Sequence, residues 1–261
     1  MNAMFDLVTS SEVNYCGRKQ FSNSLNSSEG KILEIAPLDS PFVKTANTFY
    51  FDVLPKEDLQ KKAIKLGRDP SKVPDIHFHH PNGDLSIIGL KFDAIFSSHC
   101  IEHTPDIVSH LKMVSRLLND NGEYFLFVPD KKYTFDYFKP VSQPEEVIEA
   151  YWLQSRKPTL KQFIQHGLYR GTHNNREQHW KGDHGENPCF SKAKSVSRLI
   201  KTFEESTTYL DVHVWIFTPE SFLATLKMLA DSNLLPISKV TVHDTPPMKN
   251  EFAVAIQFEA S

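Results

Sequence analysis

The stretch FDAIFSSHCIEHTPD, residues 92–106, decides the fold of this 261-residue chain. Its first five residues, 92–96, form a short apolar run that predicts a buried strand. A polar segment follows, and then apolar side chains recur at the spacing of an amphipathic helix, at Ile107, Leu111, Val114 and Leu118. A strand that passes through a polar loop into a helix is the unit from which helix-covered parallel sheets are built.

Short strands and helices alternate on both sides of this stretch. A helix is predicted at 56–66, between Pro55 and Gly67, and another begins at Thr218–Pro219. The other predicted strands are short and apolar: 31–35, 48–52, 75–80, 123–128, 237–242 and 252–258. The alternation predicts one doubly wound α/β domain with a mostly parallel, seven-stranded sheet.

Two parts of the chain depart from this alternation. Residues 1–30 are polar and rich in serine and asparagine, which predicts a loosely docked lead-in before a domain at 31–261. Residues 129–217 contain helical patches (145–153, 160–168 and 192–205) but little strand signal. We interpret them as an insertion into the sheet domain, because the strands that close the chain need that sheet to pair with.

Composition limits the class of protein. A hydrophobic content of 40% and a net charge of −3 allow a full core and give no basic footprint for a nucleic-acid partner. Three scattered cysteines (Cys16, Cys100 and Cys189) exclude a disulfide framework and are typical of a reducing cytoplasm. We also expect no membrane span and no signal peptide, since neither apolar pattern is present. The oligomeric state stays open.

Acidic residues stand at the ends of two predicted strands. Glu34 lies near the end of the first, and Asp52 closes the second, 18 residues later. In nucleotide-binding folds a spacing of about 20 residues separates the first loop from an acid that holds ribose hydroxyls. The alternative is a strand-end carboxylate that simply faces water.

With Leu117–Gly122, the opening stretch becomes FDAIFSSHCIEHTPD…LLNDNG, which resembles the region after the fourth strand of class I S-adenosylmethionine (SAM) methyltransferases. Further segments resemble a type 11-like bacterial group often associated with glycan-modifying glycosyltransferases: KILEIAPLDSP (31–41), VPDKKYTFD (128–136), DVHVWIFTP (211–219), and DTP (244–246) with Glu251–Phe252. The resemblance implies SAM as cofactor and methyl transfer to an oxygen or nitrogen of a small-molecule or glycan acceptor.

The resemblance also implies roles for individual residues. The cofactor would be bordered by residues of four strand ends or turns: Glu34, Ile35, Ala36, Pro37, Asp52, Asp84, Ser97 and Ser98. Asp52 would bind ribose, and Asp84 would lie on the adenine side. His99 and His103 are the candidate general bases, since histidine titrates near neutral pH, with support of the loop as the alternative.

One position departs from the family pattern. Ala36 stands where the family has a glycine, at a point where the backbone approaches the cofactor closely. That departure favours the alternative of a non-catalytic, methyltransferase-like binding protein. In the insertion, Tyr133, Phe135, His179 and Trp180 are the candidate acceptor-binding residues, although isolated aromatic side chains also serve as core.

Histidines raise the question of a metal. The run His99–His103 matches the H-x-x-E-H pattern of zinc peptidases. Its first histidine directly follows a strand, and Thr104–Pro105 follow the second, so we do not expect both imidazoles on one helix and predict no metal there. The histidines at 166, 173, 179 and 184 match no compact ligand motif, and a metal site, a substrate loop and polar surface all stay open.

Overall fold

The computed structural model describes residues 3–8, 18–171, 173–189, 191–206 and 210–259. Within them, eight strands form one sheet: β1 (Met4–Val8), β2 (Ile32–Ile35), β3 (Thr48–Asp52), β4 (Phe78–His79), β5 (Phe92–Ser98), β6 (Leu118–Pro129), β7 (Ile237–His243) and β8 (Glu251–Phe258). Their order is β1-β7-β8-β6-β5-β2-β3-β4. Strand β8 is antiparallel to β6 and β7, and the other pairs are parallel. The α/β class is therefore as expected, but the sheet is mixed and has eight strands.

The described part of the expected lead-in is docked on the sheet. Strand β1 pairs in parallel with β7 along its whole length. Helix α1 (Arg18–Asn26) buries Phe21 and Leu25 against Phe96 and Phe127. The expectation of a loosely docked segment is therefore wrong for residues 4–8 and 18–26, while residues 1–2 and 9–17 lie outside the described residues.

Helices cover both faces of the sheet, because successive side chains of a strand point to opposite faces. On one face, α3 (Ile107–Leu117), α4 (Pro144–Trp152) and α8 (Pro219–Asp231) pack over the main core. Helix α1 covers the opposite face. Helix α2 (Lys56–Lys65) follows β3 and packs a small apolar cluster of its own. The arrangement is that of a doubly wound sheet.

Residues 129–217 leave the sheet after β6 and return to the same edge. They carry α4, α5 (Leu160–Tyr169), α6 (Arg176–Trp180) and α7 (Val196–Glu205). The three predicted helical patches correspond to α4, α5 and α7, whereas the short α6 lacked a sequence signal. An isolated bridge joins Asp130 to Phe217 where the segment returns. Among the described helices, none combines the length and the apolar character needed to cross a membrane.

Candidate functional site

The strand order reverses between β2 and β5. From β2 the chain moves through β3 to β4 on one side, and then crosses to β5 and β6 on the other. In open α/β sheets, ligands bind beyond the carboxyl ends of the strands at such a point. The loops that begin at Ala36 and at His99 flank it, and β8, which is antiparallel, brings its first residue Glu251 to the same edge.

The loop after β2 adopts a conformation that suits glycine. Ala36 has a φ of 60°, and its N–H donates to the carbonyl of Phe51 at 2.8 Å. The left-handed conformation costs an L-residue about 1–2 kcal/mol. Alanine therefore occupies here a backbone conformation that glycine adopts without this cost.

Glu34 holds this loop from beneath. Its carboxylate accepts hydrogen bonds from the amides of Phe42 at 2.8 and 3.0 Å and of Val43 at 2.9 Å. The side chain is buried, and burial raises the pKa of Glu34 to about 7. The structure thus places the Glu34 carboxylate on the loop itself, so the residue shapes the site instead of facing a ligand.

The two aspartates expected on the cofactor lie in different settings. Asp52 is buried at the end of β3, where its Oδ1 accepts from the amide of Leu54 at 3.0 Å, and burial raises its pKa to about 6. Asp84 lies in the connection from β4 to β5 and accepts from the amide of Ser86 at 2.9 Å. Hydrogen bonding to Ser86 lowers the pKa of Asp84.

Ser97 and Ser98 point to opposite faces of the sheet. The Ser97 hydroxyl lies 2.8 Å from the hydroxyl of Tyr124, which in turn lies 3.2 Å from Nε2 of His110. All three side chains are buried. Ser98 accepts from Nη2 of Arg18 at 2.8 Å. Of the two serines, only Ser98 therefore lies on the face of the sheet that Arg18 contacts.

His99 belongs to a hydrogen-bonded network with Glu251 and Arg18. Its Nε2 lies 2.7 Å from Oε2 of Glu251, whose two oxygens also accept from Nε and Nη2 of Arg18 at 2.5 and 2.7 Å. Burial disfavours the charged imidazole, but the Glu251 hydrogen bond and the nearby carboxylates outweigh it and raise the pKa of His99. His99 itself has a φ of 50°.

Three imidazoles surround the carboxylate of Glu102. Its Oε1 lies 3.8 Å from Nδ1 of His99, 3.8 Å from Nε2 of His103 and 3.9 Å from Nε2 of His213. The Glu102 side chain is 1% exposed, and within the described structure neither of its oxygens has a hydrogen-bond partner. The short 3-10 turn Ile101–His103 thus presents both histidines of the H-x-x-E-H run to one carboxylate.

In two of these rings, the nitrogen that points away from Glu102 is hydrogen-bonded. Nδ1 of His103 donates to the carbonyl of Val212 at 3.1 Å. Nδ1 of His213 lies 2.5 Å from Oδ2 of Asp136, whose Oδ1 pairs with Nζ of Lys139 at 2.6 Å. Burial opposes ionisation of Asp136, but the hydrogen bond from His213 and the Lys139 ammonium hold its pKa well below the usual range.

The returning end of the insertion is bonded to the same turn. The amides of Val214 and Trp215 donate to the Glu102 carbonyl at 2.8 and 3.1 Å, and Nε1 of Trp215 donates to the Thr104 carbonyl at 2.6 Å. His103 lies in this turn and His99 precedes it, so the two histidines share no regular helix, as expected, and the absence of a metal at the H-x-x-E-H run stays a prediction.

The four candidate acceptor-binding residues separate into two groups. Phe135 lies beside His213, with ring centroids 4.8 Å apart. Tyr133 and Trp180 stack on each other at 4.1 Å, and Nε1 of Trp180 donates to the Lys249 carbonyl at 2.6 Å. His179 is buried, and its Nδ1 lies 2.9 Å from Nδ1 of His184. Only Phe135 is therefore close to the Glu102 turn.

A cavity of about 260 Å³ lies within the insertion. His213, Val214 and Ile216, from the returning end of the insertion, are among its lining residues. The other lining residues come earlier in the insertion: Lys139, Pro140, Val141, Ser142, Gln143, Glu146, Lys161, Gln162 and Gln165. His213 thus contacts both the cavity and the Glu102 carboxylate.

Sequence reasoning assigned no role to several residues that build this site: Arg18, Glu102, Asp136, His213 and Glu251. Glu102 was visible inside the H-x-x-E-H run, and His213 inside the segment DVHVW. Arg18 carried no signal, because it stands in a polar segment far from the strands that it joins.

No protein-family model matches the chain, and no curated protein matches its sequence. Solved structures of similar arrangement include SAM-dependent methyltransferases from Clostridium acetobutylicum (17% identity, 49% of this chain and 56% of that one, TM-score 0.33) and Mesorhizobium loti (14%, 46% and 57%, 0.31). Another is the N-terminal domain of EvdMO1 in the presence of SAH and D-fucose (12%, 95% and 85%, 0.45). The chain spans 52–57% of the length of the first three structures that it matches.

Proposed function

We propose that this chain is a SAM-dependent methyltransferase that acts on an oxygen or nitrogen of a small-molecule or glycan acceptor. The observation that carries the proposal is the loop after β2. It lies where the strand order reverses, Ala36 adopts there the conformation that glycine favours, and Asp52 ends the neighbouring strand. The sequence motifs described above agree with this assignment.

The cofactor roles follow from this geometry. The backbone of Ile35, Ala36 and Pro37 would border the methionine part, with Glu34 holding the loop in place. The Asp52 carboxylate would accept hydrogen bonds from both ribose hydroxyls, as a carboxylate with two oxygens can. Asp84 remains the proposed contact on the adenine side.

SAM supplies an activated methyl group, so the protein mainly aligns the acceptor and takes up its proton. His99 follows β5 at the carboxyl edge, and 35% of its side chain is exposed, against 24% for His103. We place the acceptor atom nearest His99, whose imidazole accepts the proton while Glu251 holds the ring. His103 then belongs to the Glu102 turn.

The cavity beside His213 is the proposed acceptor pocket. Its amide, ammonium and carboxylate groups suit an acceptor rich in hydroxyl groups, which supports a glycan or sugar intermediate. All of these groups belong to the insertion, so the insertion would select the acceptor while the sheet binds the cofactor. Phe135 adds an apolar surface beside His213.

The test combines calorimetry with an acceptor screen. We expect SAM and S-adenosylhomocysteine to bind the purified chain, and a screen of nucleotide sugars and glycan fragments to release S-adenosylhomocysteine with one class of acceptor. Binding without product from any acceptor favours the non-catalytic alternative. Absence of binding at millimolar concentrations of either ligand contradicts the proposal.

The acceptor pocket has its own variant pair. Gln165→Ala removes a hydrogen-bonding side chain from the cavity and should raise KM for the acceptor, while the Kd for SAM stays unchanged. Gln178→Ala, at an exposed position of α6, is the matched control and should change neither constant. If both variants changed KM equally, the cavity would not be the site that binds the acceptor.

A further inference from the structure

Among the described residues, the Glu102 carboxylate is buried without a hydrogen-bond partner, and the nitrogens of three imidazoles lie around it at 3.8–3.9 Å. The side chain is 1% exposed, and in the described structure both oxygens lack a hydrogen-bond partner. A buried charge is costly unless it is paired or coordinates a metal. Each such group in a folded protein therefore calls for a partner that occupies the space in front of it.

The groups that face Glu102 are themselves acceptors. Nδ1 of His103 donates to the Val212 carbonyl, and Nδ1 of His213 donates to Asp136. In a neutral imidazole the other nitrogen then carries a lone pair. Both Nε2 atoms thus aim lone pairs at Oε1 of Glu102, from 3.8 and 3.9 Å. Nδ1 of His99 lies 3.8 Å from the same oxygen, beyond hydrogen-bond distance, so within the described structure these three acceptors converge with no donor in contact. A cation stabilises such an arrangement.

We propose that Glu102, His103 and His213 bind a divalent transition-metal ion, with Zn²⁺ as the probe. One ligand atom from each residue lies within 4.8 Å of the other two. Two ligands at about 2.1 Å from a tetrahedral ion are about 3.4 Å apart, so the pairs with Glu102 need to close by only about half an ångström. Two imidazoles and one carboxylate are a set that zinc and non-haem iron both accept.

The outer contacts match what metal-binding histidines require. Such a histidine donates its other ring N–H to a carbonyl or a carboxylate, which fixes the ring and raises its basicity. Val212 fills this role for His103, and Asp136 fills it for His213. Because His213 also lines the cavity, an ion can reach the cluster from that side. The inference does not depend on SAM binding.

The test uses untagged protein that has been stripped with EDTA and dialysed. Titration with ZnCl₂, with elemental analysis after gel filtration, should show one ion that depends on Glu102. Glu102→Gln keeps the shape of the side chain and should weaken zinc binding by about 100-fold or more, as should His213→Asn. His243→Asn, which alters a half-buried histidine outside the cluster, should bind like the wild type.

A second cluster provides the comparison that makes the result specific. His184 lies with His179 in the insertion, away from the Glu102 turn. His184→Ala should leave the Glu102-dependent ion in place. Zinc that is lost in His184→Ala but kept in Glu102→Gln would overturn the proposal, as would a wild-type protein that takes up no zinc.

Thermal unfolding gives a readout that does not rely on affinity. In EDTA, Glu102→Gln should have a melting temperature equal to or above that of the wild type, because it removes a buried, unpaired charge. Added zinc should raise the melting temperature of the wild type but not that of the variant. If Glu102→Gln melts below the wild type in EDTA, and zinc does not change the melting temperature of the wild type, then Glu102 serves the fold alone.

Discussion

Nε2 of His99 and Oε2 of Glu251 lie 2.7 Å apart, although 152 residues separate them in the chain. His99 follows β5, and Glu251 begins β8. Arg18, at the start of α1, binds both oxygens of the same carboxylate. One glutamate therefore joins three distant segments at the edge where the candidate site lies.

Glu251→Gln should destabilise the fold by about 1–3 kcal/mol, because it removes the charge that binds Arg18 and His99. The lower part of this range allows for Arg18, which is 47% exposed at its side chain. Urea unfolding at pH 6 measures the loss. Glu259→Gln, at an exposed position just after β8, is the control and should change the stability little.

The same group predicts a pH dependence. Burial opposes the charge of Glu251, but the hydrogen bonds from His99 and Arg18 outweigh it and lower its pKa to about 2, from 4.5. Because the folded pKa is below the unfolded one, the stabilisation is present above pH about 4.5 and is lost as the pH falls toward 2. Wild-type stability should drop over that range more steeply than that of Glu251→Gln. Parallel curves would contradict the assignment.

Ala36→Gly should stabilise the protein by about 0.5–1 kcal/mol, since glycine adopts a φ of 60° without the steric cost that alanine incurs. Ala63→Gly, inside α2, is the matched control and should destabilise by about 1 kcal/mol or more. Calorimetric melting compares both variants with the wild type. A loss of stability in Ala36→Gly would mean that the alanine methyl contributes packing that exceeds the backbone cost.

Asp52→Asn should weaken SAM binding by about 1.5–3 kcal/mol if the carboxylate accepts both ribose hydroxyls. Burial raises the pKa of Asp52 to about 6, so the ionised form dominates only above that pH. Wild-type affinity for SAM should therefore fall by about tenfold as the pH drops from 7.5 to 5. In Asp52→Asn this part of the pH dependence should vanish. Calorimetry at both pH values provides the measurement, and unchanged affinity in a folded variant assigns the ribose to another acid.

Trp180→Ala should loosen the segment around α6, because it removes the stack on Tyr133 and the hydrogen bond to the Lys249 carbonyl. A loss of about 2 kcal/mol in local stability corresponds to about 30-fold faster protease cleavage there. Trp152→Ala is the matched control, since Trp152 is 84% exposed, and should leave the cleavage rate unchanged. Methyl transfer should slow in Trp180→Ala while SAM binding persists. Equal cleavage of the two variants would show that the stack does not hold the segment.

Local signals predicted the elements that carry their own boundaries. Strand β3 matches its predicted range, and α2 runs between Pro55 and Gly67, where glycine has a φ of 69°. Strand β1 could not be predicted, because MFDLV is short and its partner β7 begins more than two hundred residues later. The run stands before a polar, serine- and asparagine-rich segment, where no alternation of strands and helices marks it as part of the sheet.

The candidate site, too, was predictable only where local signals mark its residues. Ala36 and Asp52 could be proposed from the sequence because they stand at strand ends with a known spacing. The H-x-x-E-H run places Glu102 between His99 and His103, but the local pattern does not show that the three side chains approach one another. Their convergence depends on His213 and on the amides of Val214 and Trp215, which only the folded insertion brings to that turn.

The hydrogen bond from Trp215 Nε1 to the Thr104 carbonyl joins residues that are 111 positions apart in the chain. A contact of high sequence separation therefore stabilises the turn that presents Glu102. Contacts of high sequence separation must close large loops before they contribute, and they slow folding. The sheet around β5 and β6 forms from nearer partners. During refolding, the β2–β3, β2–β5 and β5–β6 pairs should therefore form before the Glu102 turn is assembled. The β6–β8 and β1–β7 pairs join residues that lie still further apart, so the sheet, like the chemical centre beside it, is completed late.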